Sequence, residues 1–138
     1  MEYRYLSIGR WDVDFIFATD GYDIDEIKKA LYDASANEID IDDAVSLMRK
    51  GDMNTGFTYA NPNDKYALIV IGPTTSGRQF LNTLVHEIHH LSVAIADSLG
   101  VTLTGETPAY ISGDAAMELA DLICRLGCRG CDTNEVFY

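Results

Sequence analysis

Basic residues are scarce in this chain: 10 Lys and Arg stand against 22 Asp and Glu, a formal net charge of −12 over 138 residues. A surface so acidic repels phosphate backbones and anionic lipid, which argues against nucleic acid or a membrane as a partner. Long apolar runs are also missing. YALIVIG and FIFA are far too short to cross a bilayer, and no basic stretch leads into an apolar one near Met1, so neither a membrane span nor a signal peptide is expected. A cytoplasmic protein follows by default.

Cysteine is limited to Cys124, Cys128 and Cys131. An odd number crowded near one end does not make a disulfide framework and fits a reducing compartment. Their spacing in CRLGCRGC matches the three thiolates of a radical SAM iron–sulfur site, but that motif belongs near the start of a much longer α/β barrel. The expected reading is a buried Cys124 on a helix, with Cys128 and Cys131 in a mobile tail over 126–138. A second structural zinc would need a further ligand such as Asp132. The acidic runs DIDE and DIDD lack the alternating oxygens, central Gly and terminal Glu of a calcium loop. They read as helix N-termini, where carboxylates favour the helix dipole.

What the chain does have is a 47% hydrophobic composition with strong periodicity, enough for one domain over 1–138 with one core. Residues 2–8 and 11–18 read as strands. In the second, Trp11, Val13, Phe15 and Phe17 alternate with Asp12 and Asp14, the pattern of a sheet with one buried face. Asp23 and Glu26 have capping-box spacing ahead of a helix with Ile24, Ile27, Ala30 and Leu31 on one stripe. A second helix is expected over Ile41 to Lys50, stopping at Gly51. GFTYA (56–60) and KYALIVI (65–71) read as a hairpin joined by NPND. A long helix then runs from about Arg78 to Ser98, and a last helix from Thr107 to Leu126 with Pro108 in its first turn. The order implies an α+β domain with one small mixed sheet.

The histidines are the most concentrated feature. His86, His89 and His90 are the only three in the chain, and they fall within HEIHH. At i and i+4 of a helix, His86 and His90 lie one turn apart on one face and can share a metal ion. Leu81, Leu84, Val85, Ile88, Leu91 and Ile95 form the expected core stripe, with the two histidines at its edge, Glu87 beside them and His89 turned away. Two imidazoles and a third protein ligand leave zinc one open position for water, whose proton a nearby carboxylate can take. Asp97 lies about 10 Å further along the same axis, too far to be that third ligand. Position 96 is Ala, so no third histidine follows. Glu106, in GETPAY at the start of the next helix, can reach the metal if the loop at 100–105 reverses the chain. Asp114 and Glu118 are weaker candidates on that helix.

HEIHH followed by GETPAY resembles the zincin metallopeptidases of the glutamate-ligand type. More narrowly, it resembles small phage and mobile-element proteins with HExxH and then an E-T-x-A-Y segment after a strand-rich N-terminal half. The resemblance is best over 56–124; the first 55 residues agree only in pattern. It implies a zincin-like fold and zinc held by His86, His90 and Glu106. Glu87 would be the general base, Tyr110 an oxyanion or substrate contact, and the substrate a peptide or protein. Tyr110 stands where the larger families of this type have Asp in E-x-x-x-D, so the carboxylate that would orient one histidine is unassigned. The rival expectation is a module that metal stabilises without turnover.

Overall fold

The structure, a computed structural model, describes residues 1–128. Alternation sets the first hairpin: β1 (Glu2–Ile8) and β2 (Trp11–Phe17) pair antiparallel around Gly9 and Arg10, both at positive φ. Leu6, Ile8, Trp11, Val13, Phe15 and Phe17 are buried on one face of the sheet. Ile16, on the other face, is buried as well. The single buried face expected for β2 is therefore incomplete, because a second helical layer covers it at one end.

That layer is α1 (Ile24–Asp33) and α2 (Glu38–Lys50). Asp23 caps α1 by accepting from the Glu26 amide at 3.1 Å. Asn37 caps α2 by accepting from the Asp40 amide at 2.8 Å, so α2 begins ahead of the expected Ile41. Gly51, in the left-handed conformation at φ 70°, ends it. Both acidic runs do lie at helix N-termini, with Asp25 and Glu26 in the first turn of α1 and Glu38 and Asp40 in that of α2.

The second hairpin, β3 (Gly56–Asn61) and β4 (Tyr66–Ile71), inserts β4 beside β2 in parallel. The four-stranded mixed sheet has the order β1-β2-β4-β3, so β1 and β3 are its two edges. The face opposite α1 and α2 is covered by α3 (Gly77–Ser98), α4 (Glu106–Glu118) and α5 (Ala120–Gly127). This is an α+β arrangement with helices on both faces of one small sheet.

The last expected helix, 107–126, is two helices. The break falls at Leu119, whose φ of −97° and ψ of 9° interrupt the spiral without any Gly or Pro. α5 is clipped to β1, where Arg4 donates to both Asp121 carboxylate oxygens at 3.0 and 2.7 Å and Arg125 donates to Glu2 at 2.6 Å. Leu126 and Gly127 belong to α5 rather than to a tail, and Cys124, expected to be buried, is exposed. Cys131 and the rest of the expected tail lie outside the described residues.

Contacts at either end fix the direction of this layer. The Gly9 turn lies against Ile95 near the end of α3, while Phe17, at the other end of the hairpin, meets Phe80 near its start with ring centroids 6.1 Å apart. α5 sits over Glu2 and Arg4, back towards the Phe17 end. The chain leaves α3 at Ser98, turns, and returns through α4 and α5 along the β1 edge. Among the described residues, no helix is long and apolar enough to cross a membrane.

Candidate metal centre

α3 is capped by Ser76, which accepts from the Gln79 amide at 3.1 Å, and it lies across β4 and the edge strand β3. Its buried side carries Phe80, Leu84, Ile88, Leu91 and Ile95. Leu81 and Val85, expected in this core stripe, are 43% and 56% exposed. They sit about 60° and 100° round the helix from Leu84, beyond the arc that faces the sheet. The opposite flank carries the histidines. His86 and His90 are exposed, whereas Glu87 between them is only 4% exposed and points under the helix towards β3.

The two Nε2 atoms of His86 and His90 are 3.2 Å apart. Two nitrogens bound to one tetrahedral zinc at 2.0–2.1 Å stand about 3.3 Å apart, so this separation suits a shared ion. The same separation suits one N–H···N hydrogen bond between the rings, with the donor set by the tautomer. Glu87 Oε1 is 3.9 Å from His86 Nε2. Among the described residues, His86, Glu87 and His90 form the group of metal-capable side chains, with ligand atoms within 4.8 Å of one another. Two imidazoles and a carboxylate are a donor set that suits several divalent transition ions, zinc and iron among them.

Glu87 is held from β3. Thr58 Oγ1 donates to Glu87 Oε2 at 2.7 Å, and the Glu87 carbonyl oxygen is 3.2 Å from the same hydroxyl. Such close approach needs Gly56. A β-carbon there would stand 2.5 Å from the Val70 carbonyl oxygen and 3.4 Å from Glu87 Cγ. Tyr22, whose hydroxyl lies 3.1 Å from Thr55 Oγ1, closes the same end of the strand. Burial raises its pKa and the Glu87 charge adds to the rise, while the Thr55 hydrogen bond opposes it. Sequence reasoning did not assign Gly56, Thr58 and Tyr22 a part in the site. The signal for the first two was present: Gly, Thr and Ala at 56, 58 and 60 make one face of a strand unusually small, as a closely packed helix requires.

The histidines and β3 line an open cleft of about 380 Å³, with Gly56, Phe57, Thr58 and Ala60 on one wall and His86, Glu87 and His90 on the other. Glu106 and Tyr110 do not line it. Glu106 opens α4 and is exposed; Tyr110 is 68% exposed on the same helix. The physical reason is topological. The loop does reverse the chain, but it carries α4 to the β1 side of α3, while the histidines face β3 at the opposite edge. His90 also lies eight residues before Ser98, about 12 Å back along the axis from the end of α3, where the chain turns towards α4. Asp114 and Glu118 ride on the same displaced helix and are likewise outside the group. Among the described residues, neither histidine has a hydrogen-bond acceptor at Nδ1 that would fix its ring orientation.

No protein-family model matches this chain, and neither a curated protein nor a solved structure is significantly similar to it.

Proposed function

We propose that the chain is a zinc-dependent hydrolase acting on peptide bonds, with His86 and His90 as metal ligands and Glu87 as general base. The observation that carries this reading is the pair of Nε2 atoms 3.2 Å apart beside a buried carboxylate, all opening onto an edge strand that pairs with β4 on one side only. When bound, zinc supplies a Lewis acid that brings the pKa of water towards neutrality and polarises a carbonyl. The chain's own residues do the rest. Glu87, oriented by Thr58, accepts a proton from the attacking water and returns it to the departing amine. The free edge of β3 offers backbone donors and acceptors that hold a peptide extended across the cleft. Glu106 and Tyr110, which the zincin resemblance would add as ligand and oxyanion contact, have no part in this scheme as the helices stand.

One observation favours a second reading. Glu87 lies close enough to both histidines to be a ligand itself, which would make the site a three-ligand clasp that stabilises a binding module without turnover. Glu87→Gln separates the two. Metal content by mass spectrometry and cleavage of a fluorogenic peptide library are measured for untagged protein purified without chelators. If Glu87 is the base, the variant keeps about one zinc per chain and loses at least about a hundredfold in rate. If Glu87 is a ligand, the variant loses the metal. In either case Glu106→Ala keeps its zinc, and loss there would restore α4 to the centre. Protein that takes up no zinc when supplied with it would reduce HEIHH to a polar helix face.

A further inference from the structure

β3 borders two hollows. Gly56, Thr58 and Ala60 look towards α3, while Phe57 and Tyr59 pack with the α1–α2 layer. Between β3 and α2 lies a second cleft of about 370 Å³, which shares Phe57, Thr58 and Ala60 with the histidine cleft. Its wall combines apolar Leu31, Ala44, Leu47 and Phe57 with the carboxylates of Asp40 and Asp43. These two are three residues apart on α2 and so share a face. Among the described residues, no Lys or Arg forms an ion pair with either. The field of Asp40 reaches the strand: Tyr59 has its pKa raised chiefly by burial and next by the Asp40 charge.

An apolar trough ending in two uncompensated carboxylates matches the build of Lys and Arg, whose methylene stems pack on apolar surface while the cationic head stays wet. A peptide added to β3 would lie about 4.8 Å beyond it, with successive side chains alternating between the two faces. One set faces His86 and His90; the other enters the α2 cleft. We propose that the α2 cleft is a specificity pocket for a cationic side chain, so the substrates are peptides with Lys or Arg at a position whose side chain points away from the histidines. This rests on the peptidase reading for turnover, but the recognition itself needs only β3 and α2. The pocket is solvent-exposed, so the preference weakens as ionic strength rises.

The test compares matched alanine-rich peptides with Lys or norleucine scanned through each position. Cleavage is measured with zinc-loaded wild type, and binding by fluorescence anisotropy with wild type in chelator, which leaves the peptide uncleaved. The expected result is a Lys-over-norleucine preference of about five- to tenfold at one position, the scale of two exposed ion pairs. In Asp40→Asn/Asp43→Asn the ratio falls towards one, and in Asp43→Lys a Glu peptide becomes preferred over the Lys peptide. Circular dichroism confirms that the variants fold. Cleavage without a basic preference, or a preference that survives both variants, overturns the pocket and leaves the peptidase reading standing. Binding that shows the preference without any cleavage supports the pocket and sinks the peptidase reading. Equal binding of Lys and norleucine peptides, or no binding of either, overturns the pocket whatever the wild type cleaves.

Discussion

Glu87 is the residue whose environment is hardest to explain by stability alone. Its carboxylate is buried, accepts one side-chain hydrogen bond from Thr58 and has His86 3.9 Å away as its nearest cationic candidate. Burying a carboxylate with so little compensation destabilises a fold. Glu87→Gln keeps the shape and removes the charge, so in chelator the variant is expected to be about 1 kcal/mol more stable than wild type, read as a higher urea midpoint at unchanged slope. A lower midpoint would mean that the carboxylate is structural. The sequence made Glu87 legible as a candidate because its position in HEIHH is a matter of local spacing. It did not reveal how deeply the side chain sits, since that depends on Gly56 and Thr58 arriving from another element.

At the scale of elements, the caps and turns were readable because each is local: Asp23 with Glu26, Gly51 at the end of α2, the hairpin of β3 and β4. The break between α4 and α5 was not. Leu119 is buried, no helix breaker stands nearby, and the bend lets α5 meet β1 through Arg4 and Glu2, partners more than a hundred residues away. Glu106 failed to reach the histidines for a related reason. Periodicity gives the phase of a helix, but the flank of α3 on which α4 docks is decided by the sheet. The contact most exposed to test is that between α3 and β3. Gly56→Ala places a β-carbon within 2.5 Å of the Val70 carbonyl oxygen, so the hairpin must give way. The expected cost is about 1–3 kcal/mol in chemical denaturation, with weakened zinc uptake because Glu87 and the histidines move together. Normal stability and zinc content in that variant would mean that β3 is free to shift.

For the whole molecule, the two edges of the sheet do separate work. At the β1 edge, the Arg4 guanidinium holds the Asp121 carboxyl down to about 2 from its ordinary 3.8, chiefly by hydrogen bonding, and Arg125 lowers Glu2 in the same way. A folded pKa below the unfolded one means that the stabilisation is present above about pH 4 and is lost as the pH falls towards 2. Asp121→Asn is therefore expected to lower the melting temperature slightly at neutral pH and to flatten its acid decline, as a melting series from pH 6 to pH 2 would record. At the β3 edge, the proposed site predicts that zinc at about 100 times its dissociation constant will add about 2.7 kcal/mol to wild type. His86→Ala should abolish that gain without altering the acid profile. A zinc response that disappeared in Asp121→Asn would show that the edges are coupled.

The arrangement of the histidine cleft along the chain has a consequence for biosynthesis. Its walls come from residues 56–90, and the strands and helices beneath them all precede Ser98. Every residue of that cleft is therefore synthesised before α4 and α5. The proposed ligands thus come from one contiguous part of the chain, and the last two helices add apolar cover through Ile111, Ala115, Leu119 and Leu122 in place of any wall of the cleft.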